Sequence, residues 1–163
     1  MIEITKDEES HIPDICNLWL EFMRYTGGSD PFFTVNEGSK ADFEKDYLRP
    51  HMEPEKNLVL VAMDGDKMVG YLHGEVKDVP HYIHGQIGFV QHLFVTEAYR
   101  RRGIGERLYN EIIKWFHSRD IKRVHLDALV ANKVANSFWR KHGFKECTHT
   151  LLRTLESDPK SMS

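Results

Sequence analysis

The sequence predicts an α/β (α+β) fold, with a mixed sheet and flanking helices. Two strand-like runs, residues 58–63 and 67–76, are separated only by Asp64-Gly65-Asp66, a pattern typical of an antiparallel hairpin. Further along the chain, strand-like runs alternate with helical patterns, which indicates helical connections between strands. The 163 residues are 40% hydrophobic, which is sufficient for one compact core.

The N-terminal part is predicted to hold one strand and two helices. A short strand over residues 2–4 precedes a helix over about residues 12–25, on which Cys16 lies among apolar side chains. We therefore expect Cys16 to be a buried thiol. A glycine-rich turn ends this helix, and a shorter helix over about residues 41–48 ends before Pro50.

The second half is predicted to alternate between strands and helices. In order, we expect a loop over residues 78–85, a strand over 87–95, a helix over about 104–116, a strand over 124–130, a helix over 133–141 capped by Gly143, and closing strands over 144–147 and 149–155. The tail, residues 156–163, is polar and is predicted to fray.

The strand over residues 87–95 carries an irregular pattern. Four apolar residues are predicted to share one face: Ile87, Phe89, Leu93 and Val95. Gln91 interrupts this face with a polar group, and His92 follows it. The break predicts a β-bulge, or a strand whose middle faces a site. An uncovered sheet edge would produce the same pattern.

Composition excludes several functional classes. The net charge of −3 argues against a general nucleic-acid binder. Cys16 and Cys147 have no metal-like spacing. The first residues lack the pattern of a signal peptide, and no run approaches the ~20 apolar residues that cross a bilayer. We expect a cytoplasmic protein that binds neither nucleic acid nor membrane.

The run Arg100-Arg101-Arg102-Gly103-Ile104-Gly105 is the most informative segment. It joins the strand over residues 87–95 to the helix over 104–116. Glycines let a backbone approach a ligand closely, and a helix N-terminus attracts anions through its unpaired N–H groups. Arginines add donors suited to phosphate. This pattern predicts a site for a phosphate-bearing small molecule; a tight connection with a solvated arginine rim is the alternative.

Two spaced motifs resemble the GNAT superfamily of acyl-CoA-dependent N-acetyltransferases. The family signature is Arg or Gln, two residues, Gly, one residue, then Gly or Ala, and residues 100–105 match every required position. A second block, with Asn132, Ala135 and the run Phe138-Trp139-Arg140-Lys141-His142-Gly143-Phe144, is similar to the family's Asn-x-x-Ala…Tyr…Gly-Phe segment. The order of elements fits the family from residue 2 to about residue 155.

The resemblance implies a fold and a cosubstrate. It implies a GNAT-like fold, with a central, mostly antiparallel sheet splayed at the cofactor site, in a single domain over residues 1–155. It implies acetyl-CoA as cosubstrate and no metal. The implied cofactor-binding residues are Leu93, Phe94 and Val95 along the strand, the loop residues Arg100, Arg101, Arg102, Gly103, Ile104, Gly105 and Glu106, and Asn132, Ala135 and Trp139 beyond.

The implied chemistry is direct transfer of an acetyl group to a primary amine, with an N–H near Leu93 stabilising the oxyanion. The amine must lose a proton, and Glu75 and His92 are the candidate bases, with a water chain as the alternative. The family's usual tyrosine acid is replaced by Trp139, whose indole does not release its proton at ordinary pH. Tyr109 and His142 are therefore the candidate acids; the alternative is that the thiolate leaves without one.

Other functions are open or set aside. A non-catalytic acyl-CoA-binding regulatory module fits the same motifs. A dinucleotide site would require a third glycine where Leu108 stands, although Asp127 lies at a plausible distance for a ribose contact. His81, His84 and His92 do not form a matched set of metal ligands.

The acceptor is not encoded in a transferable motif. It is expected to be an amine of a small molecule or a protein, and the resemblance implies a possible homodimer. The segments that would flank the acceptor carry four aromatic residues, which would shape its pocket or pack a lid: Tyr25, Phe32, Phe33 and Tyr82.

Overall fold

The computed structural model describes residues 1–28 and 30–155. Its sheet has five strands in the order β1-β2-β3-β4-β5. The first three pairings are antiparallel, and β4 pairs with β5 in parallel. The predicted mixed sheet is confirmed, with these bounds: β1 Ile2–Lys6, β2 Asn57–Asp64, β3 Lys67–Val79, β4 Gly85–Val95 and β5 Val124–Leu126.

Four α-helices accompany the sheet. They are α1 Ile12–Gly27, α2 Ser39–Asp42, α3 Ile104–Ser118 and α4 Lys133–Lys141. A π-helix, Phe43–Leu48, continues α2 directly, so the helix predicted over residues 41–48 is only partly α-helical. None of the helices in the described part of the chain combines the length and apolar character needed to cross a bilayer.

The described residues form two compact units. The first, residues 1–128, holds the five strands with α1, α2 and α3; the second, residues 129–155, holds α4. A single domain over residues 1–155 stays a prediction, and the predicted polar tail lies outside the described residues. In the second unit Gly143 has a φ of 87° and follows α4, so the predicted glycine cap is confirmed.

One sheet face packs against α1 and the π-helix. Pro13 fits the first turn of α1, where its missing N–H costs nothing, and the helix then turns an apolar stripe towards the sheet. This core contains Ile12, Ile15, Cys16 and Leu18 from α1, Phe43 and Leu48 from the π-helix, and Val59, Val61, Met68, Tyr71 and Phe94 from the sheet. The predicted burial of Cys16 is confirmed.

The opposite face packs against α3. The residues of α3 at helical spacing, Ile104, Leu108, Ile112 and Phe116, are all buried, as their periodicity predicts. Two sheet glycines permit the close approach. A Cβ atom built on Gly74 would lie 2.4 Å from Cδ1 of Ile112, and one built on Gly88 would lie 2.8 Å from Cε1 of Phe116.

Replacing Gly74 with alanine is expected to destabilise the protein by about 1–3 kcal/mol, because overpacking a close-packed interface forces side chains and backbone to shift. Urea unfolding followed by circular dichroism measures the change. Gly38→Ala is the control, because a Cβ atom there has its nearest contact at 3.4 Å. Equal stability of the two variants would contradict the close approach of α3.

The irregular pattern in β4 is a β-bulge. His73 pairs with His92 and Gly74 pairs with Val90, so Gln91 is the extra residue. The predicted bulge is confirmed, but the predicted shared face is wrong. Because one extra residue inverts the alternation, Ile87 and Phe89 lie on the α1 side of the sheet, while Leu93 and Val95 lie on the α3 side.

Three C-terminal predictions need correction. The strand expected over residues 124–130 is confined to Val124–Leu126, which pairs only with residues 88–90, just before the bulge. Within the described residues, 144–147 and 149–155 form no strand; their apolar residues Leu151, Leu152 and Leu155 are exposed and build no buried face. The loop expected over residues 78–85 shrinks to residues 80–84, because β3 and β4 extend as a longer hairpin.

Candidate active site

The arginine–glycine loop adopts a backbone that leaves one side open. Gly103 has φ 75° and ψ 7°, and Arg101 has φ 60°, so two residues of the loop are left-handed. No atom lies within 4 Å of a Cβ built on Gly103. The first intrahelical bond of α3 runs from the N–H of Arg107 to the carbonyl of Gly103, at 3.0 Å. The amides of residues 104–106 therefore precede the helical hydrogen-bond ladder.

The three arginines differ in their roles. Arg100 donates from Nε to the carbonyl oxygen of Val95 at 2.9 Å, and its guanidinium lies over the rings of Tyr25 and Phe94. It therefore fixes the end of β4 against α1. Arg101 and Arg102 are exposed, and the guanidinium of Arg102 lies 4.8 Å from the Tyr99 ring centroid. These two side chains are the cations available to a ligand at the loop.

The geometry of the loop suits a negatively charged group. Amides at the start of α3, the positive end of the helix dipole and two exposed arginines all favour an anion. Beside the loop, the β5 edge of β4 is free of strand pairing in the described structure from Gln91 to Val95, because β5 ends opposite Val90. Leu93, Phe94 and Val95 therefore have no strand partner on this edge among the described residues.

Glu75 lies beside the bulge on the α1 side of the sheet. Its Oε2 accepts a hydrogen bond from Nε2 of Gln91 at 2.6 Å, and Nζ of Lys77 lies 3.9 Å from the same oxygen. The side chain is 20% exposed, so it borders solvent. Burial, and then the charge of Glu75, raise the pKa of Tyr47 on the π-helix. The phenol of Tyr47 therefore stays protonated near the carboxylate.

His92 lies next to the bulged residue and is surrounded by aromatic rings. The centroids of four rings lie between 5.7 and 6.0 Å from its own: Phe22, Phe43, Tyr47 and Tyr71. Burial, and then the charge of His51, lower the pKa of His92 to about 4. His92 was predicted as a base because histidine usually titrates near neutrality, and that reason is wrong for this environment.

Three more polar side chains complete this region and were not predicted as site residues. Tyr47 stacks on His51 with centroids 4.4 Å apart, and both rings contact His73. His73 is only 1% exposed, and its Nε2 lies 3.0 Å from Oδ1 of Asn57. The sequence does hold a signal: Phe43, Tyr47 and His51 recur every four residues, a spacing that places them on one helical face. We call Tyr47, His51, Tyr71, His73 and His92 the histidine cluster.

Of the two candidate acids, Tyr109 belongs to the first unit and His142 to the second. Tyr109 is on α3, which covers the sheet face opposite Glu75 and His92, and burial raises its pKa. In the second unit His142 follows α4 and lies against Phe138, with ring centroids 4.6 Å apart. Within the first unit, the structure thus brings the two candidate bases to one sheet face, whereas Tyr109 belongs to the helix on the other face.

The second unit presents the other predicted cofactor residues around α4. Oδ1 of Asn132 accepts from the N–H of Ala135 at 3.1 Å and so caps the helix. Its Nδ2 group is the end that can donate to a ligand. Asn136 donates to the carbonyls of Leu129 and Val130 and fixes the preceding turn. Trp139 packs edge-on against Phe138 and Phe144, so Trp139 also has a packing role.

Solved structures share this fold. The chain is similar to the BH1408 protein of Bacillus halodurans, solved as a tetramutant, with a TM-score of 0.79 and 20% identity over 94% of this chain and 99% of that one. It is also similar to a predicted acetyltransferase of Clostridium acetobutylicum solved with acetyl-CoA, with a TM-score of 0.76 and 15% identity over 94% of this chain and 96% of that one. At these identities the likeness shows the fold alone.

Sequence comparisons identify the family. The chain is 25% identical over 143 residues to the uncharacterized N-acetyltransferase MJ1207 of Methanocaldococcus jannaschii, and the match covers 88% of this chain. The chain spans 59% of the length of that relative. The acetyltransferase (GNAT) family matches residues 12–144. Motif, fold and family match agree, and the chain therefore belongs to the acetyltransferase (GNAT) family.

Proposed function

We propose that this protein transfers an acetyl group from acetyl-CoA to a primary amine, by direct attack while both substrates are bound. The observation that carries the proposal is the left-handed Gly103 at the start of α3, beside the unpaired edge of β4. Family membership supports the same reaction class. A small molecule or a protein side chain can supply the amine. A cytoplasmic location and a homodimer stay predictions.

The residues of the chain would hold the cosubstrate at three places. Backbone amides from Arg101 to Glu106 would bind the pyrophosphate, and Leu93, Phe94 and Val95 would offer main-chain partners to the pantetheine arm. The family resemblance adds Asn132, Ala135 and Trp139 as further cofactor residues. When bound, acetyl-CoA supplies the activated acyl group. The protein's task is then to orient the amine and remove its proton, and fixed orientation alone lowers the barrier by several kcal/mol.

Two side chains at the bulge are the candidates to receive that proton. Glu75 accepts a hydrogen bond from Gln91, lies 3.9 Å from Nζ of Lys77 and borders solvent. His92 is neutral because burial lowers its pKa to about 4, so its ring carries a lone pair at neutral pH. We propose Glu75 or His92 as the base, and Tyr109 or His142 as the acid in place of the family's tyrosine.

Replacing both Glu75 and His92 with glutamine is expected to lower kcat about 100-fold or more, since general acid–base catalysis contributes at least that much. Acetyl-CoA affinity should stay unchanged, because neither side chain belongs to the phosphate loop. The two single variants show which group is the base. An undiminished rate at every pH would remove both from the mechanism.

Ligand-dependent thermal unfolding tests the cosubstrate first. Acetyl-CoA, CoA, NADH and ATP are compared at matched concentrations, and a ligand present at one hundred times its Kd stabilises by roughly 2.7 kcal/mol. A shift with acetyl-CoA and CoA alone is expected, whereas a shift only with NADH would favour the dinucleotide alternative. A screen of amines for CoA release then separates an enzyme from a non-catalytic acyl-CoA-binding module, which would bind without turnover.

A further inference from the structure

The histidine cluster contains three buried polar atoms that need hydrogen bonds. Oη of Tyr71, Nδ1 of His73 and Nδ1 of His92 have no partner among the described residues. Tyr71 and His73 are each 1% exposed. Leaving such a group unpaired costs about 1–3 kcal/mol, so buried polar atoms in native proteins are nearly always paired with protein or internal water.

The three atoms belong to neighbouring rings on one face of the sheet. The centroid of His92 lies 6.0 Å from that of Tyr71 and 6.4 Å from that of His73. None of the three atoms forms a direct hydrogen bond with another described residue, and one water molecule with two hydrogen bonds can join polar atoms about 5–6 Å apart. A water needs two to four polar partners, and these three atoms supply them.

Existing hydrogen bonds assign the tautomers of two histidines. Nε2 of His73 faces Oδ1 of the Asn57 side chain. This oxygen only accepts hydrogen bonds, so Nε2 carries the hydrogen and Nδ1 carries the lone pair. Nδ1 of His51 likewise donates to the carbonyl of Tyr47, so the lone pair of His51 is on Nε2. His51 is half-buried, whereas His73 is fully buried.

We propose that Tyr71, His73 and His92 hold an internal water molecule, and that the acceptor's proton travels from His92 through this water to His51 and solvent. The water accepts from Tyr71 Oη–H and His92 Nδ1–H, donates to His73 Nδ1, and has one hydrogen left for His51 Nε2. His73 is a positioning residue. The inference rests on the proposed function for the source of the proton, while the water site rests on the structure alone.

The proton balance closes without any other reagent. The N–H bond of the acceptor breaks, its electron pair stays on nitrogen, and Nε2 of His92 takes the proton. His92 releases the hydrogen on Nδ1 to the water, which releases one to His51 Nε2. Because the His92 ring is partly exposed, exchange with solvent restores its tautomer after product release. Burial disfavours imidazolium at His73 and His92, so the proton does not stay there.

NMR of the ¹⁵N-histidine-labelled protein tests the water site without any activity. We expect His51 and His92 to be protonated at Nδ1 and His73 at Nε2, and we expect a cross-peak between a long-lived water and the Tyr71 hydroxyl proton. Tyr71→Phe should remove that cross-peak while the three tautomers stay unchanged. Protonation of His73 at Nδ1, or absence of a long-lived water, would overturn the proposal.

His51→Phe tests the path in the active protein, because phenylalanine keeps a ring to stack on Tyr47 and removes the proton acceptor. We expect kcat to fall about tenfold, less than a full loss of acid–base catalysis because solvent substitutes in part. Added imidazole should restore the rate in proportion to its concentration, and the KM for acetyl-CoA should not change. His117→Phe, at an exposed position of α3 on the opposite side of the sheet, is the control and should show neither effect.

An unchanged kcat in His51→Phe, or a loss that imidazole does not restore, would overturn the path. The two proposals fail in different ways. If the wild-type protein binds acetyl-CoA but acetylates no amine, the proposed function and the path are both wrong, and the NMR result alone decides the water site.

Discussion

Lowering the pH from 7 to 5 is expected to reduce the free energy of unfolding by roughly 2 kcal/mol for each of His73 and His92, at about 1.4 kcal/mol per pH unit per histidine. Burial is the main cause that lowers their pKa values, to about 3 for His73 and about 4 for His92, from 6.5. The unfolded chain therefore takes up protons below pH 6.5 while the folded protein does not, so stability is lost as pH falls through this range.

Urea unfolding at pH 7, 6 and 5 measures this dependence. The charged and titratable groups that further disfavour protonation of His73 are His92, His51 and Lys77, so the two buried histidines should titrate together. His92→Phe should remove about half of the pH dependence, since the ring cage around His92 accepts an aromatic side chain. Two results would contradict a buried, neutral state of His73 and His92. One is an equal loss of unfolding free energy between pH 7 and 5 in His92→Phe and the wild type, and the other is no loss in the wild type.

Replacing Gly103 with valine is expected to weaken acetyl-CoA binding about 100-fold or more, equivalent to at least ~2.8 kcal/mol. A β-branched residue resists the left-handed conformation that Gly103 adopts at φ 75°, and its side chain would occupy the open side of the loop. Both effects act on the amides at the start of α3. Isothermal titration calorimetry with CoA measures the affinity directly.

Gly65 provides a matched control for this variant. It has a φ of 60°, no atom lies within 4 Å of its Cβ position, and it forms the β2–β3 turn away from the loop. Gly65→Val should therefore lose comparable stability but keep its affinity for CoA. If Gly103→Val binds CoA as tightly as Gly65→Val, the loop is not the phosphate site.

Elements that depend on the pattern of neighbouring residues were predicted from the sequence. The helical spacing of Ile104, Leu108, Ile112 and Phe116 predicted α3 and its buried face, and the polar interruption at Gln91 predicted the bulge. The length of β5 was not predictable in this way. Residues 124–130 have strand character, but pairing ends where the bulge turns β4 away, and that depends on a neighbour some 35 positions earlier.

The histidine cluster shows more clearly what sequence patterns do not predict. Tyr71, His73 and Glu75 alternate along a predicted strand, yet the strand alone does not reveal which side is buried or what covers it. The covering residues Tyr47 and His51 come from the π-helix and the turn after it, whose spacing also suits an ordinary α-helix. Sequence reasoning therefore found Glu75 and His92 by their chemistry but missed the rings that set the protonation of His92.

Because of the bulge at Gln91, the arrangement of the site depends on the number of residues in β4. Before the bulge the odd-numbered residues of β4 face α1, and after it the even-numbered residues do. Removing one residue there would therefore turn His92 and Phe94 towards α3 and Leu93 and Val95 towards α1. The hydrophobic cores on both sheet faces and the unpaired edge of β4 would change at once. We therefore expect this hairpin to tolerate a change of length only at residues 80–84, the exposed connection between β3 and β4, where an insertion leaves the register of both strands unchanged.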